Sequence, residues 1–160
     1  SWHQRHHDAA ARVMSEPVEL PDLAAVEDLG ARIAARMRAG DVVALSGPLG
    51  AGKTTLARAI LRAAGHEGEV PSPTFTLIEM YDALDPPVAH ADFYRLEHPS
   101  EAEELGLEDY REGAVLIAEW PEKAGGFGHE PACLSISLSD RGDTRLAIVE
   151  CGADWLGRAP

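Results

Sequence analysis

Between a short apolar run and a stretch rich in leucine and alanine, the chain carries Gly47-Pro48-Leu49-Gly50-Ala51-Gly52-Lys53-Thr54, which fills every fixed position of the pattern GxxxxGK[ST]. No other feature restricts the fold as much. Glycines at these spacings let the backbone curl until successive N–H groups converge, and a helix beginning at the lysine adds the positive end of its dipole. Such a cradle suits phosphate. Lys53 supplies a compact charge for the outer phosphates of a nucleotide, and the Thr54 hydroxyl suits magnesium, which prefers oxygen ligands. Four fixed positions recur by chance in fewer than about one chain of this length in a hundred, given glycine near 7% of residues in general. Lys53 is one of two lysines beside twelve arginines, which fits a position that needs a point charge rather than a planar fork.

The flanks agree with this reading. Residues 41–46 form an apolar run of strand length, and residues 53–64 suit a helix stopped by Gly65. Upstream, Leu23, Val26, Leu29, Ile33 and Met37 recur at three- and four-residue intervals, with Gly30 beside Leu29. They predict a helix that opens near Asp22 and is closed by Gly40. Downstream, Pro71-Ser72-Pro73 makes a stiff turn before β-favouring residues 74–81, and Asp85-Pro86-Pro87 separates these from a second strand at 88–94. The two are expected to pair antiparallel. Pro99, Ser100 and Glu103 have the spacing of a capping box ahead of a short acidic helix. Residues 114–119 read as a buried strand ending in an acid, and residues 134–138 and 145–149 as a hairpin around 140–143. The expectation is a single α/β domain of P-loop NTPase-like architecture, a mixed sheet flanked by helices. A length of 160 residues suits one core, with a domain at 17–155, a mobile N-terminal tail at 1–16 and a C-terminal tail at 156–160.

Composition narrows the class. Hydrophobic residues at 45% and charged residues at 26% are ordinary for a globular protein. No apolar run approaches bilayer length, and the first eleven residues combine charge and histidine without the apolar stretch of a secretory signal, so a cytoplasmic address is expected. His3, His6 and His7 read as part of the solvated tail. Cys133 and Cys151 lack zinc spacing and are expected to be buried free thiols. With 27 acidic against 14 basic residues the formal charge is -13, which repels nucleic acid and acidic membrane. The chain contains no asparagine, which excludes the Asn-Lys-x-Asp device of guanine-selective GTPases, and no LSGGQ segment of an ABC ATPase. A small-molecule kinase stays open on the loop alone.

Further segments, in order, carry a resemblance: Leu49-Gly50-Ala51-Gly52-Lys53-Thr54-Thr55, Ser72-Pro73-Thr74-Phe75-Thr76-Leu77, His90-Ala91-Asp92-Phe93-Tyr94-Arg95-Leu96 and Glu119-Trp120-Pro121. From residue 20 to 149 the chain resembles the TsaE (YjeE-type) family, whereas a generic P-loop kinase would share the first segment only. The resemblance implies an ATPase that works with TsaB and TsaD to place threonylcarbamoyl on the adenosine beside the anticodon of ANN-reading tRNAs. Two positions depart from the family pattern, Pro48 where an acid is usual and Val26 where threonine is common near the base.

The resemblance further implies ATP with Mg2+ as the bound species, cradled by Gly47, Gly50, Ala51, Gly52, Lys53, Thr54 and Thr55. It makes Glu119 the magnesium ligand beside Thr54, a placement that an acid ending an apolar strand also has on physical grounds. An exposed strand-end glutamate is the alternative. Asp92 would orient the attacking water or hold a metal-bound one, and Thr74 would lie by the γ-phosphate; turn or cap roles are the alternatives for both. Lys53 completes the catalytic set. Trp120 is expected to pack or to contact a partner, Tyr94 and Arg95 to touch nucleotide or partner or to pair in solvent. The acidic run Glu101, Glu103, Glu104, Glu108, Asp109 is a solvated helix face or a docking surface. No membrane or DNA partner is expected, and tRNA contact would be indirect.

Overall fold

The computed structural model describes residues 12–71, 73 and 77–160. In chain order the elements are β1 (Val13–Met14), β2 (Val18–Leu20), α1 (Leu23–Arg36), β3 (Val42–Ser46), α2 (Lys53–Ala63), β4 (Ile78–Tyr81), β5 (Val88–Asp92), α3 (Ser100–Glu104), α4 (Leu107–Arg111), β6 (Val115–Glu119), β7 (Cys133–Arg141) and β8 (Thr144–Cys151). One sheet contains all these strands in the order β1-β8-β7-β3-β6-β5-β4, with β2 also paired to β8. The central four, β7, β3, β6 and β5, are parallel, while β4 and β8 run antiparallel to their neighbours and β1 and β2 antiparallel to β8. This is the mixed α/β sheet expected from the sequence, including the antiparallel β4/β5 pair and the late hairpin.

Parallel strands with helices on both faces must be apolar throughout, and β3 and β6 are buried along almost their whole length. Alternation then divides the core. Val43, Leu45, Val115, Ile117, Leu134 and Ile136 face α1 and α2, meeting Leu29, Ile33, Leu56 and Ile60. Val42, Ala44, Ala89, Ala91, Leu116 and Ala118 face the other way, towards Phe93, Leu96, Leu107 and Phe127. Cys133 and Cys151 are buried free thiols on β7 and β8, and burial pushes both above the ordinary thiol range.

Asp22 caps α1 as expected, accepting from the Ala25 N–H at 2.9 Å. The helix stops at Arg36, short of Gly40, because Met37 turns to extended backbone; Gly40, at φ 93°, then takes the turn into β3. The capping box does not form. Pro99 occupies the N-cap position with no side-chain cap, so Ser100 is already the first helical residue.

Both expected domain boundaries move outward. The sheet begins before residue 17, since Val13 pairs with Cys151 and Met14 with Glu150, where β8 outruns β2 and leaves an open edge. The Arg12 guanidinium secures that edge by donating to the Cys133 and Glu150 carbonyls. At the other end, residues 156–160 are no free tail. Arg158 forms a bidentate pair with Asp41 at 2.7 and 2.8 Å and also donates to the Arg36 carbonyl at 2.7 Å. Its guanidinium lies 4.3 Å from the Trp155 ring centroid. Asp41 stands immediately before β3, so this buried pair anchors the strand that feeds the glycine loop.

Where α1 crosses α2, Gly30 meets Ala59. A Cβ added at Gly30 would lie 2.7 Å from the Ala59 Cβ and 2.9 Å from its carbonyl carbon. In an open helix Gly→Ala would stabilise by about 1 kcal/mol, but overpacking against backbone costs about 1–3 kcal/mol. Gly30→Ala is therefore expected to destabilise the domain by about 1–2 kcal/mol in urea unfolding. A stabilised variant would show that the helices do not cross this closely.

Candidate functional site

From Ser46, the last residue of β3, the chain curls through residues 47–52 into α2. Gly47, Gly50 and Gly52 all hold positive φ, at 144°, 81° and 99°. Gly47 is the most restricted. Besides its left-handed backbone, a Cβ there would lie 2.6 Å from the Leu138 carbonyl oxygen on β7. No side chain caps α2, which leaves the N–H groups of its first turn for a ligand at the loop's mouth.

Lys53 opens α2 and is almost wholly buried. Its ammonium donates to the Gly47 and Pro48 carbonyls at 2.7 and 2.8 Å and lies 4.3 Å from the Trp120 ring centroid. Burial lowers its pKa, while the charges of Glu119, Glu122 and Asp92 push it back up. One residue on, the Thr54 hydroxyl donates to Glu119 Oε1 at 2.6 Å. Glu119 ends β6 and is only 2% exposed, so it is not the solvated strand-end glutamate that was the alternative. Its register partners are Leu45 on β3 and Asp92 on β5. The glycine loop, Glu119 and Asp92 thus meet at the carboxyl ends of three neighbouring parallel strands, where open α/β sheets bind ligands.

Asp92 is half-buried. Burial raises its carboxyl pKa, the Tyr94 N–H donating at 3.0 Å lowers it, and nearby Glu119 raises it. Trp120 leaves the strand path through a left-handed backbone at φ 55°, which brings its ring over Lys53 and within 5.0 Å of the Tyr94 ring. These groups line a cleft of about 300 Å³ together with Leu49, Gly50, Gly52, Thr55 and Arg145. A larger groove of about 780 Å³ runs along α1 and α2 beside Arg58 and Arg62 and shares Thr55 with the cleft. The smaller space holds the chemistry, because the loop, the lysine and both acids open into it.

Of the residues expected from the sequence, Lys53, Thr54, Asp92 and Glu119 converge, and Gly47, Gly50, Ala51, Gly52 and Thr55 form or border the loop. Thr74 lies outside the described residues. Arg95 and the acidic residues of α3 and α4 do not line the cleft. Two residues went unread. Arg145 on β8 donates to the Gly50 carbonyl at 3.3 Å; its signal was a second arginine, after Arg141, close to Asp140 and Asp143. His90 is fully buried with Nε2 2.7 Å from Glu119 Oε2, and its two-residue spacing from Asp92 on one strand was the available hint.

With this geometry in place, a family model described as "Threonylcarbamoyl adenosine biosynthesis protein TsaE" matches residues 20–147. The chain belongs to the TsaE family. Nucleotide binding, read from the loop, goes with that membership. A TsaE protein of Mycobacterium tuberculosis is 46% identical over 140 residues, covering 79% of this chain and 83% of that one. The Haemophilus influenzae TsaE protein is also 46% identical, over 87 residues that span 54% of this chain and just over half, 55%, of its relative. The crystal structure of Bacillus subtilis YdiB superposes with a TM-score of 0.71 at 26% identity, covering 90% of this chain and 88% of that one.

Because Gly47 combines positive φ with contact to a neighbouring strand's backbone, Gly47→Ala is expected to strain the loop by about 1–3 kcal/mol. Isothermal calorimetry should show nucleotide affinity reduced at least about tenfold, with cooperative unfolding retained. Undiminished affinity would show that the loop tolerates a different path.

Proposed function

We propose that this chain is a magnesium-dependent ATPase that acts with TsaB and TsaD to place threonylcarbamoyl on the adenosine beside the anticodon of ANN-reading tRNAs. The observation that carries the ATPase part is the 2.6 Å contact between Thr54 and Glu119 at the mouth of the glycine loop. A loop alone supports phosphate binding. A hydroxyl and a carboxylate oxygen converging beside it make a hard, oxygen-only donor set that fits magnesium.

In this reading the N–H groups of residues 47–52 and of the first turn of α2 hold the β- and γ-phosphates of ATP. Pro48 contributes none, since proline lacks an N–H. Lys53 meets the same phosphates with its ammonium. Thr54 and Glu119 would hold magnesium, which supplies charge neutralisation on the phosphate oxygens. Asp92, fixed by the Tyr94 N–H, orients the water that attacks the γ-phosphorus, and Trp120 shields Lys53 from bulk water. Positioning and charge carry the rate, as phosphoryl transfer asks little covalent chemistry of a protein. Thr74 is proposed beside the γ-phosphate as a switch-like hydroxyl.

The partner assignment rests on family membership and on charge. At -13 the chain's net field repels RNA phosphates, which supports a route to tRNA through TsaB and TsaD. No helix among the described residues is long and apolar enough to cross a membrane. A cytoplasmic location suits a tRNA substrate.

Lys53→Ala is expected to lower ATP turnover by about 10²–10³-fold, the scale of losing one preorganised charge donor, while unfolding stays cooperative. Full turnover by a folded variant would refute the assignment. In a second assay the chain alone should hydrolyse ATP slowly and faster once TsaB and TsaD are added, and should show no tight tRNA binding at about 0.1 M salt. Tight binding by the isolated chain would remove the indirect route, and unchanged turnover with both partners would favour a small-molecule kinase.

A further inference from the structure

His90 sits within β5 between Ala89 and Ala91, with no exposed surface. A polar side chain in such a place has to be partnered or it weakens the fold. Its Nε2 lies 2.7 Å from Glu119 Oε2, while the other carboxylate oxygen takes the Thr54 hydroxyl at 2.6 Å. On the parallel β5/β6 ladder His90 stands opposite Ile117 and Asp92 opposite Glu119, so the imidazole reaches two positions along the neighbouring strand to make this contact. A carboxylate can only accept, so Nε2 carries the proton. Nδ1 is buried without a hydrogen-bond partner among the described residues, and a proton there would be a stranded donor.

We propose that His90 is a positioning residue, which through an Nε2–H donor fixes the rotation of the Glu119 carboxylate so that Oε1 faces Thr54 and the cation. The proposal rests on Glu119 being a magnesium ligand. The Glu119 side chain has torsions of its own; Thr54 alone restrains one oxygen and leaves the other free to swing. Donation from a rigid ring on the adjacent strand removes that freedom, as outer partners of metal ligands do. Lacking it, Oε2 would be an acceptor without a donor at a site 2% exposed.

The test uses the full chain. Nitrogen-15 NMR of the wild type is expected to show His90 with a protonated Nε2, and an Nε2 that carries no proton would overturn the proposal whatever the variants do. His90→Leu, similar in bulk but without a donor, is expected to raise the Mg2+ midpoint for binding a fluorescent ATP analogue about tenfold, and to change affinity in EDTA less than about twofold. His90→Gln restores an N–H and should recover most of the loss. An unchanged midpoint in folded His90→Leu, or a folded His90→Gln as weak as His90→Leu, would overturn the role. Should neither variant fold, the tautomer in the wild type decides. Wild-type binding that ignores Mg2+ would instead remove Glu119 as a ligand, a failure of the underlying reading that is distinct from failure of His90.

Discussion

An acid buried at the end of a parallel strand can persist only if its oxygens are partnered, and Glu119 is partnered from two sides. The Thr54 hydroxyl reaches it from α2 and the His90 ring from β5. Three elements that are remote in sequence are thereby fixed at one point beside the glycine loop. The site's other features follow from this junction: Asp92 stands next to Glu119 in register, and Trp120, the next residue, must turn out of the strand to cover Lys53. Electrostatics and architecture are the same fact here, because moving the carboxylate would disturb the sheet, the helix and the phosphate cradle together.

The scaffold behind the junction keeps β3 and α2 in a fixed relation. On one side α1 lies against α2 so closely that Gly30 leaves no room for a methyl group over Ala59. At the base of β3, Asp41 is held by the Arg158 fork and by the Arg38 N–H at 2.6 Å. A buried pair of this kind is weak evidence for added stability, since its desolvation offsets much of the attraction, but breaking one partner leaves a stranded charge. Its direct effect is geometric: the C-terminal residues clamp the start of the strand whose end becomes the loop.

Much of this was legible in the sequence because the signals are local. The loop declares itself through fixed glycines, α1 through its three-and-four spacing with Asp22 as cap, and β3 and β6 through apolar runs that only a doubly covered sheet accommodates. Glu119 was legible as the acid that ends such a run. What escaped depends on long-range pairing. Nothing near Val13 signals that β8 offers an open edge, and Arg158 meets Asp41 across most of the chain. His90 was hidden inside a strand as one polar residue among alanines, and Arg145 reaches the cleft because β7 and β8 carry it there. The capping box failed for a local reason, since Pro99 took the N-cap position and moved Ser100 into the helix.

The central claim is that Thr54 and Glu119 act on one magnesium ion rather than as two independent supports of the fold. A double-mutant cycle on the Mg2+ midpoint for ATP binding tests it most directly, using Thr54→Val, Glu119→Gln and the combined variant. Shared ligation predicts that each single variant raises the midpoint at least about tenfold and that the combined variant is little worse than the weaker single one, a coupling above about 1 kcal/mol. Additive effects, or single variants with wild-type midpoints, would contradict the account.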